Sequence, residues 1–166
     1  MNLRVPPAVE RLADRLHPRL TAFEQVRERH TLVVKRIEAG TWEQGGGRVR
    51  ERLRRVLDET KPFPVRIDGL DYFADPPDGR GPVVYLRVES EGINRLHRRL
   101  CRKFPVVDDL EGENYVPHVT LARGGRVADA ERVAETDIDP VEWTATRALT
   151  WDREHREAVD RFRLRG

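Results

Sequence analysis

The chain has 166 residues, 38% hydrophobic and 36% charged, a balance that suits one domain with a very polar surface. A net charge of +2 excludes the heavy positive excess of a chain that coats nucleic acid, and a single cysteine, Cys101, excludes an intramolecular disulfide and a multi-thiolate metal site. No run reaches the roughly 18 apolar residues of a membrane span, and no secretory leader pattern opens the chain, so a soluble, cytoplasmic protein is expected.

In chain order, a short strand is expected at Asn2 to Val5. Pro6-Pro7 then opens a helix to about Leu20, with Val9, Leu12, Leu16 and Leu20 on one face. A strand follows over Arg29 to Ile37, closed by Gly40. Gly45-Gly46-Gly47 reads as a flexible loop, since no phosphate-loop lysine pattern accompanies it. Arg48 to Glu59 forms a helix whose buried face is Val49, Leu53, Val56 and Leu57. Strands at Phe63 to Phe73 and Val83 to Glu89 make a hairpin around a linker dense in proline, glycine and aspartate.

Ile93, Leu96, Leu100 and Phe104 mark the next helix, which leaves Cys101 a quiet, partly buried thiol. An acidic loop, Asp108 to Asn114, leads into a strand at 116 to 123. Gly124-Gly125 ends it, a helix follows at about Ala128 to Glu135, and strands near Trp143 to Trp151 and Ala158 to Leu164 finish the chain. This mixture of hairpins and helices argues for α+β rather than a doubly wound parallel sheet. No linker divides it, so residues 1–166 are read as one domain.

Two strands carry a histidine beside a threonine. In Val116-Pro117-His118-Val119-Thr120-Leu121-Ala122-Arg123, positions 118 and 120 point to one face, where an imidazole and a hydroxyl can protonate and grip a phosphate. In Arg29-His30-Thr31-Leu32-Val33-Val34-Lys35-Arg36 the histidine and threonine are adjacent. His17, His97 and His155 are read as structural or solvent-facing. Of the 31 basic residues all but Lys35, Lys61 and Lys103 are arginine; codon bias accounts for the excess, and an arginine-lined groove is compatible with it.

The stretch from Pro117 to Arg123 resembles the second motif of the 2H phosphoesterase superfamily, which contains the 2′-5′ RNA ligase-like proteins and RNA 2′,3′-cyclic phosphodiesterases. The first motif departs from the family's His-x-Thr, because Thr31 follows His30 directly. With His30 in the histidine position, Leu32 replaces the hydroxyl residue. With Thr31-Leu32 matched to the family's Thr-Leu, Arg29 falls where the histidine belongs. A one-residue bulge could bring His30 and Thr31 to the same side.

The resemblance implies a bilobed fold in which two antiparallel sheets form a central cleft, with helices on the outer faces and one histidine strand from each pseudo-symmetric lobe. It implies an enzyme that opens RNA 2′,3′-cyclic phosphates to 2′-phosphates, with His118 as general base, His30 as general acid and Thr120 holding phosphate oxygens. Neither metal nor cofactor is implied, and a monomer is expected. Thr31, Lys35, Arg123 and Tyr115 are candidate phosphate or substrate contacts, although strand parity sets 123 opposite 118 and Lys35 opposite His30. The same groups could run the reverse, 2′-5′ ligation, or bind RNA ends with little turnover.

Overall fold

The computed structural model describes residues 1–152 and 157–166. Its strands are β1 (Asn2–Leu3), β2 (Gln25–Val26), β3 (Leu32–Val33), β4 (Phe63–Phe73), β5 (Val83–Glu89), β6 (His118–Arg123), β7 (Val141–Ala145), β8 (Arg147–Asp152) and β9 (Glu157–Arg163). Its helices are α1 (Pro7–Leu16), α2 (Ala39–Asp58), α3 (Glu91–Cys101) and α4 (Val127–Ala134). His155, read as structural or solvent-facing, lies outside the described residues.

The strands run in the spatial order β7-β4-β5-β6-β3-β1-β8-β9, with β2 added to β6 beside β3, and the described pairings are antiparallel. The β3–β6 ladder is therefore a seam. It joins a lobe of β7, β4, β5 and β6 to a lobe of β3, β1, β8 and β9, which is the expected α+β arrangement.

One face of this sheet and the helices share a single core. Leu32, Leu86, Val119 and Leu121 pack there with Leu12 and Leu16 of α1, Leu53 and Leu57 of α2, Ile93 and Leu96 of α3, and Ala130 of α4. Each helix buries residues at three- and four-residue spacing, as an amphipathic helix must. Pro7 starts α1 where a missing N–H costs nothing. Ser90 caps α3: its Oγ accepts from the Ile93 N–H at 3.3 Å and donates to the Pro64 carbonyl at 2.6 Å, tying the helix to β4.

The structure changes four expected boundaries. The first helix stops at Leu16, and a 3-10 turn at His17–Arg19 takes up Pro18, which has no N–H for an α-helical bond. The triple glycine lies inside α2, where Gly45 alone leaves helical geometry. The expected strand at 29–37 shrinks to Leu32–Val33, because the Val34 and Lys35 N–H groups bond to the Met1 carbonyl. Finally, one expected strand at 143–151 is two, split at Thr146: β7 pairs with β4, whereas β8 pairs with β1 and β9 in the other lobe. Among the described residues no helix is long and apolar enough to cross a membrane.

Candidate active site

The face of the sheet turned away from the core is built around β6. Val119 and Leu121 are fully buried, so His118 and Thr120 point to the other side, as period-two alternation requires. Across the ladder His118 pairs with Arg87 and Thr120 with Tyr85. On the next strand Arg87 faces Gly69, Tyr85 faces Asp71, and Val83 faces Phe73. Gly69 makes room for the arginine: a Cβ there would stand 2.8 Å from Arg87 Nη2.

A bulge settles where Arg123 goes. Val84 pairs with Ala122 but Tyr85 with Thr120, so one step along β5 meets two along β6, and Leu121 is the extra residue. Both Leu121 and Ala122 are buried. Arg123, paired with Val83, consequently returns to the face of His118 and Thr120. Its Nη1 donates to the Asp78 carbonyl at 3.1 Å, in a turn where Gly79 has a φ of +77° and no space for a Cβ against that guanidinium.

The His118 ring is held on three sides. Phe73 meets it edge-on at 5.3 Å between centroids, Tyr85 is tilted against it at 5.2 Å, and the two aromatics stack on each other at 4.4 Å. Nδ1 lies 2.7 Å from the Val116 carbonyl oxygen, which can only accept, so Nδ1 carries the proton. In the neutral ring Nε2 is then the acceptor. Burial pushes the His118 pKa below its ordinary value; the Val116 bond opposes this, and the Arg36 and Arg123 guanidiniums add to it. The Tyr85 hydroxyl, raised to about 12 by burial and the nearby Asp71, is a neutral donor.

The first motif is bulged by more than one residue. Val26 pairs with Ala122 and Leu32 with Val119, so six steps along the first segment meet three along β6. Residues 28–30 are carried out of the ladder. Continuing the register by one position sets Thr31 opposite Thr120, on the face away from buried Leu32 and Val119. This matches Thr31-Leu32 to Thr120-Leu121 and leaves Arg29 at the position corresponding to His118.

His30 goes elsewhere. Its side chain is 6% exposed and its Nδ1 is 2.5 Å from Oε2 of Glu10 on α1. The described contacts of the two imidazoles share no residue: His30 is engaged by Glu10, His118 by Val116, Phe73 and Tyr85, and the continued register sets Thr31 rather than His30 opposite Thr120.

Two further expectations are corrected. Lys35 is completely buried, and its Nζ donates to the Arg36 carbonyl at 2.8 Å, the Pro105 carbonyl at 2.7 Å and the Glu111 carboxylate. An ammonium has three protons, all used here, so Lys35 is a strut and not a substrate contact. Tyr115 donates its hydroxyl to the Val33 carbonyl at 2.8 Å and stacks on His97 at 3.8 Å, which anchors its loop and removes it as a platform for a base.

Of the two alternatives for His97, structural or solvent-facing, its burial fits the first. It is 1% exposed, donates from Nδ1 to the Val34 carbonyl at 2.7 Å and accepts the Gly112 N–H at Nε2, 2.9 Å away. Burial lowers its pKa and raises that of Cys101, whose Sγ is 3.3 Å from the same ring nitrogen. Sequence reasoning missed Phe73, Tyr85 and Arg36. The first two were legible in principle, since a hairpin with known register puts them on the face of His118; Arg36 carried no signal.

A two-lobed antiparallel sheet with a His-x-Thr strand at its seam is the arrangement expected of the 2H superfamily. Residues 29–157 match the family model described as the 2′-5′ RNA ligase superfamily, and the chain belongs to that superfamily. A protein of Oceanobacillus iheyensis named as a phosphoesterase is 33% identical over 75 residues, which are 44% of this chain and 40% of that protein's length. The crystal structure of TT0787 of Thermus thermophilus is similar in fold, with a TM-score of 0.65 at 19% identity over 99% of this chain and 96% of that one.

Proposed function

We propose that this protein opens RNA 2′,3′-cyclic phosphate ends to 2′-phosphates without a metal ion. One observation carries the reading: the bulge at Leu121 gathers His118, Thr120 and Arg123 on one face, with Nε2 of His118 unprotonated in the neutral ring. Nε2 takes a proton from water as its oxygen bonds to phosphorus, and the bond from phosphorus to the 3′-oxygen breaks. Thr120 and Thr31 donate to the phosphoryl oxygens as charge builds on them.

The 3′-oxygen departs on the side of phosphorus opposite to the attacking water. With His30 engaged by Glu10, that oxygen takes its proton from solvent. General acid catalysis typically contributes about 100- to 10,000-fold, so a slow enzyme is expected. The same displacement of His30 favours a second reading, an RNA-end-binding protein with very low turnover. 2′-5′ ligation would use the same face, with an RNA 5′-hydroxyl in place of water.

The test is incubation of the protein with a short RNA ending in a 2′,3′-cyclic phosphate, with and without EDTA. Conversion to a 2′-phosphate that survives EDTA and is lost in His118→Ala supports the enzyme. Tight binding without conversion at high protein concentration supports the binder, and neither binding nor conversion sinks both.

A further inference from the structure

The buried Lys35–Glu111 pair has an output that the reaction above does not use. Both side chains are 0% exposed. Around them the Arg36 backbone is gripped at both ends: its N–H donates to Glu111 Oε1 at 2.6 Å, and its carbonyl accepts from Lys35 Nζ at 2.8 Å. The second Glu111 oxygen also accepts the Val107 N–H at 3.0 Å, which ties the loop before β6 to the segment after β3. An ion pair taken out of water is retained at a cost unless it does something specific. Here it fixes one residue, Arg36, beside the seam where β3 meets β6.

The Arg36 side chain leaves that clamp unfinished. Its Nε is buried and has no hydrogen-bond partner among the described residues, and the same is true of Nε of Arg123. Only one other described side-chain atom, Nε1 of Trp143, shares that condition. Buried N–H groups are normally paired, so two unpaired guanidinium donors near one histidine call for an acceptor. Both guanidiniums act electrostatically on His118, one from the β3 side and one from the end of β6. A guanidinium edge, Nε–H with one Nη–H, matches two oxygens of a phosphate.

We propose that Arg36, which no motif singles out, is a phosphate-binding residue, and that its guanidinium and that of Arg123 together hold the phosphoryl oxygens of the substrate beside His118. The proposal rests on the reading of this face as the phosphoester site. The ligand class is a nucleotide phosphate, mono- or diester, and the Arg36 guanidinium stands in the lobe whose histidine is displaced, after β3. Lys35 and Glu111 are positioning residues for it.

The experiment follows the His118 imidazole and the Arg36 Nε–H by nuclear magnetic resonance while inorganic phosphate is added to the whole protein. Saturable shifts of both signals are expected in the wild type. Arg36→Gln and Arg123→Gln should each weaken phosphate binding about tenfold or more, Arg36→Lys should restore part of it, and Arg52→Gln on the outer face of α2 should change nothing. With cyclic-phosphate RNA, Arg36→Gln should raise KM more than it lowers kcat.

An Arg36→Gln affinity within twofold of the wild type would overturn the proposal, as would an Arg36 Nε–H signal unmoved by phosphate in the wild type. That last measurement decides the matter even if the variant fails to fold. Arg36-dependent phosphate binding without turnover would sink the phosphodiesterase reading and keep this one. An unchanged kcat/KM in a folded Arg36→Gln would do the reverse.

Discussion

Replacing Lys35 by methionine separates a strut from a substrate contact. The substitution keeps the unbranched stem and removes an ammonium that makes three hydrogen bonds in a fully buried position. Glu111 keeps two backbone donors, Arg36 and Val107, but loses its counter-charge. Breaking a buried pair from one side costs about 3–5 kcal/mol. At roughly 2–4 °C per kcal/mol for a chain of this size, thermal unfolding should fall by about 10 °C. Burial pushes the Glu111 pKa up, but the Lys35 hydrogen bond and the two backbone donors outweigh it and hold the carboxyl below its usual range. Without Lys35 that balance tips, so the defect should shrink as pH falls and Glu111 takes up a proton. Lys35→Met/Glu111→Gln should recover most of the loss. Scanning calorimetry at several pH values reads all three effects. A melting temperature within about 2 °C of the wild type, with substrate affinity reduced instead, would refute the reasoning and return Lys35 to the substrate.

His118→Ala should reduce turnover of cyclic-phosphate RNA about 100- to 10,000-fold, whereas His30→Ala should lower the melting temperature and leave turnover nearly unchanged; paired kinetic and thermal measurements distinguish them. Thr120→Val, which keeps the shape and removes one donor, should lower kcat on the order of 100-fold. His97 and His118 are both held below the ordinary histidine pKa chiefly by burial, so the unfolded chain binds their protons first as pH falls. The stability they contribute is full above about pH 6.5 and is lost as pH drops toward their folded values. Urea unfolding at pH 7.5 and pH 5.5 should show this loss, and it should be smaller in His97→Gln.

The parts of the fold that were legible are those where one periodicity runs unbroken. Ile93, Leu96 and Leu100 fix α3, and the apolar run Val83 to Leu86 fixes β5 and hence the hairpin. β3 was overread because apolar Leu32 and Val34 extend a strand pattern whose later backbone groups belong to Met1 and Glu111, partners far away in the chain. Lys35 looked available for phosphate because its counter-ion lies 76 residues further on. Parity alone set Arg123 on the wrong face. A bulge at two buried apolar residues, Leu121 and Ala122, leaves no trace in composition, and only pairing with β5 exposes it.

The two irregularities along β6 have opposite effects, and together they make the site lopsided. One adds Arg123 to the face of His118, and the other removes residues 28–30 from it. On the proposed reading, charge on the phosphoryl group is met from both lobes, but a proton is exchanged from only one. An enzyme that lacks a general acid depends steeply on how well its leaving group departs unaided. For a series of aryl phosphodiesters, log kcat should therefore fall sharply as the phenol pKa rises, and His30→Ala should leave that slope unchanged. A shallow slope that steepens in His30→Ala would show that His30 delivers the proton despite Glu10, and the assignment of a single proton-transferring histidine would fail.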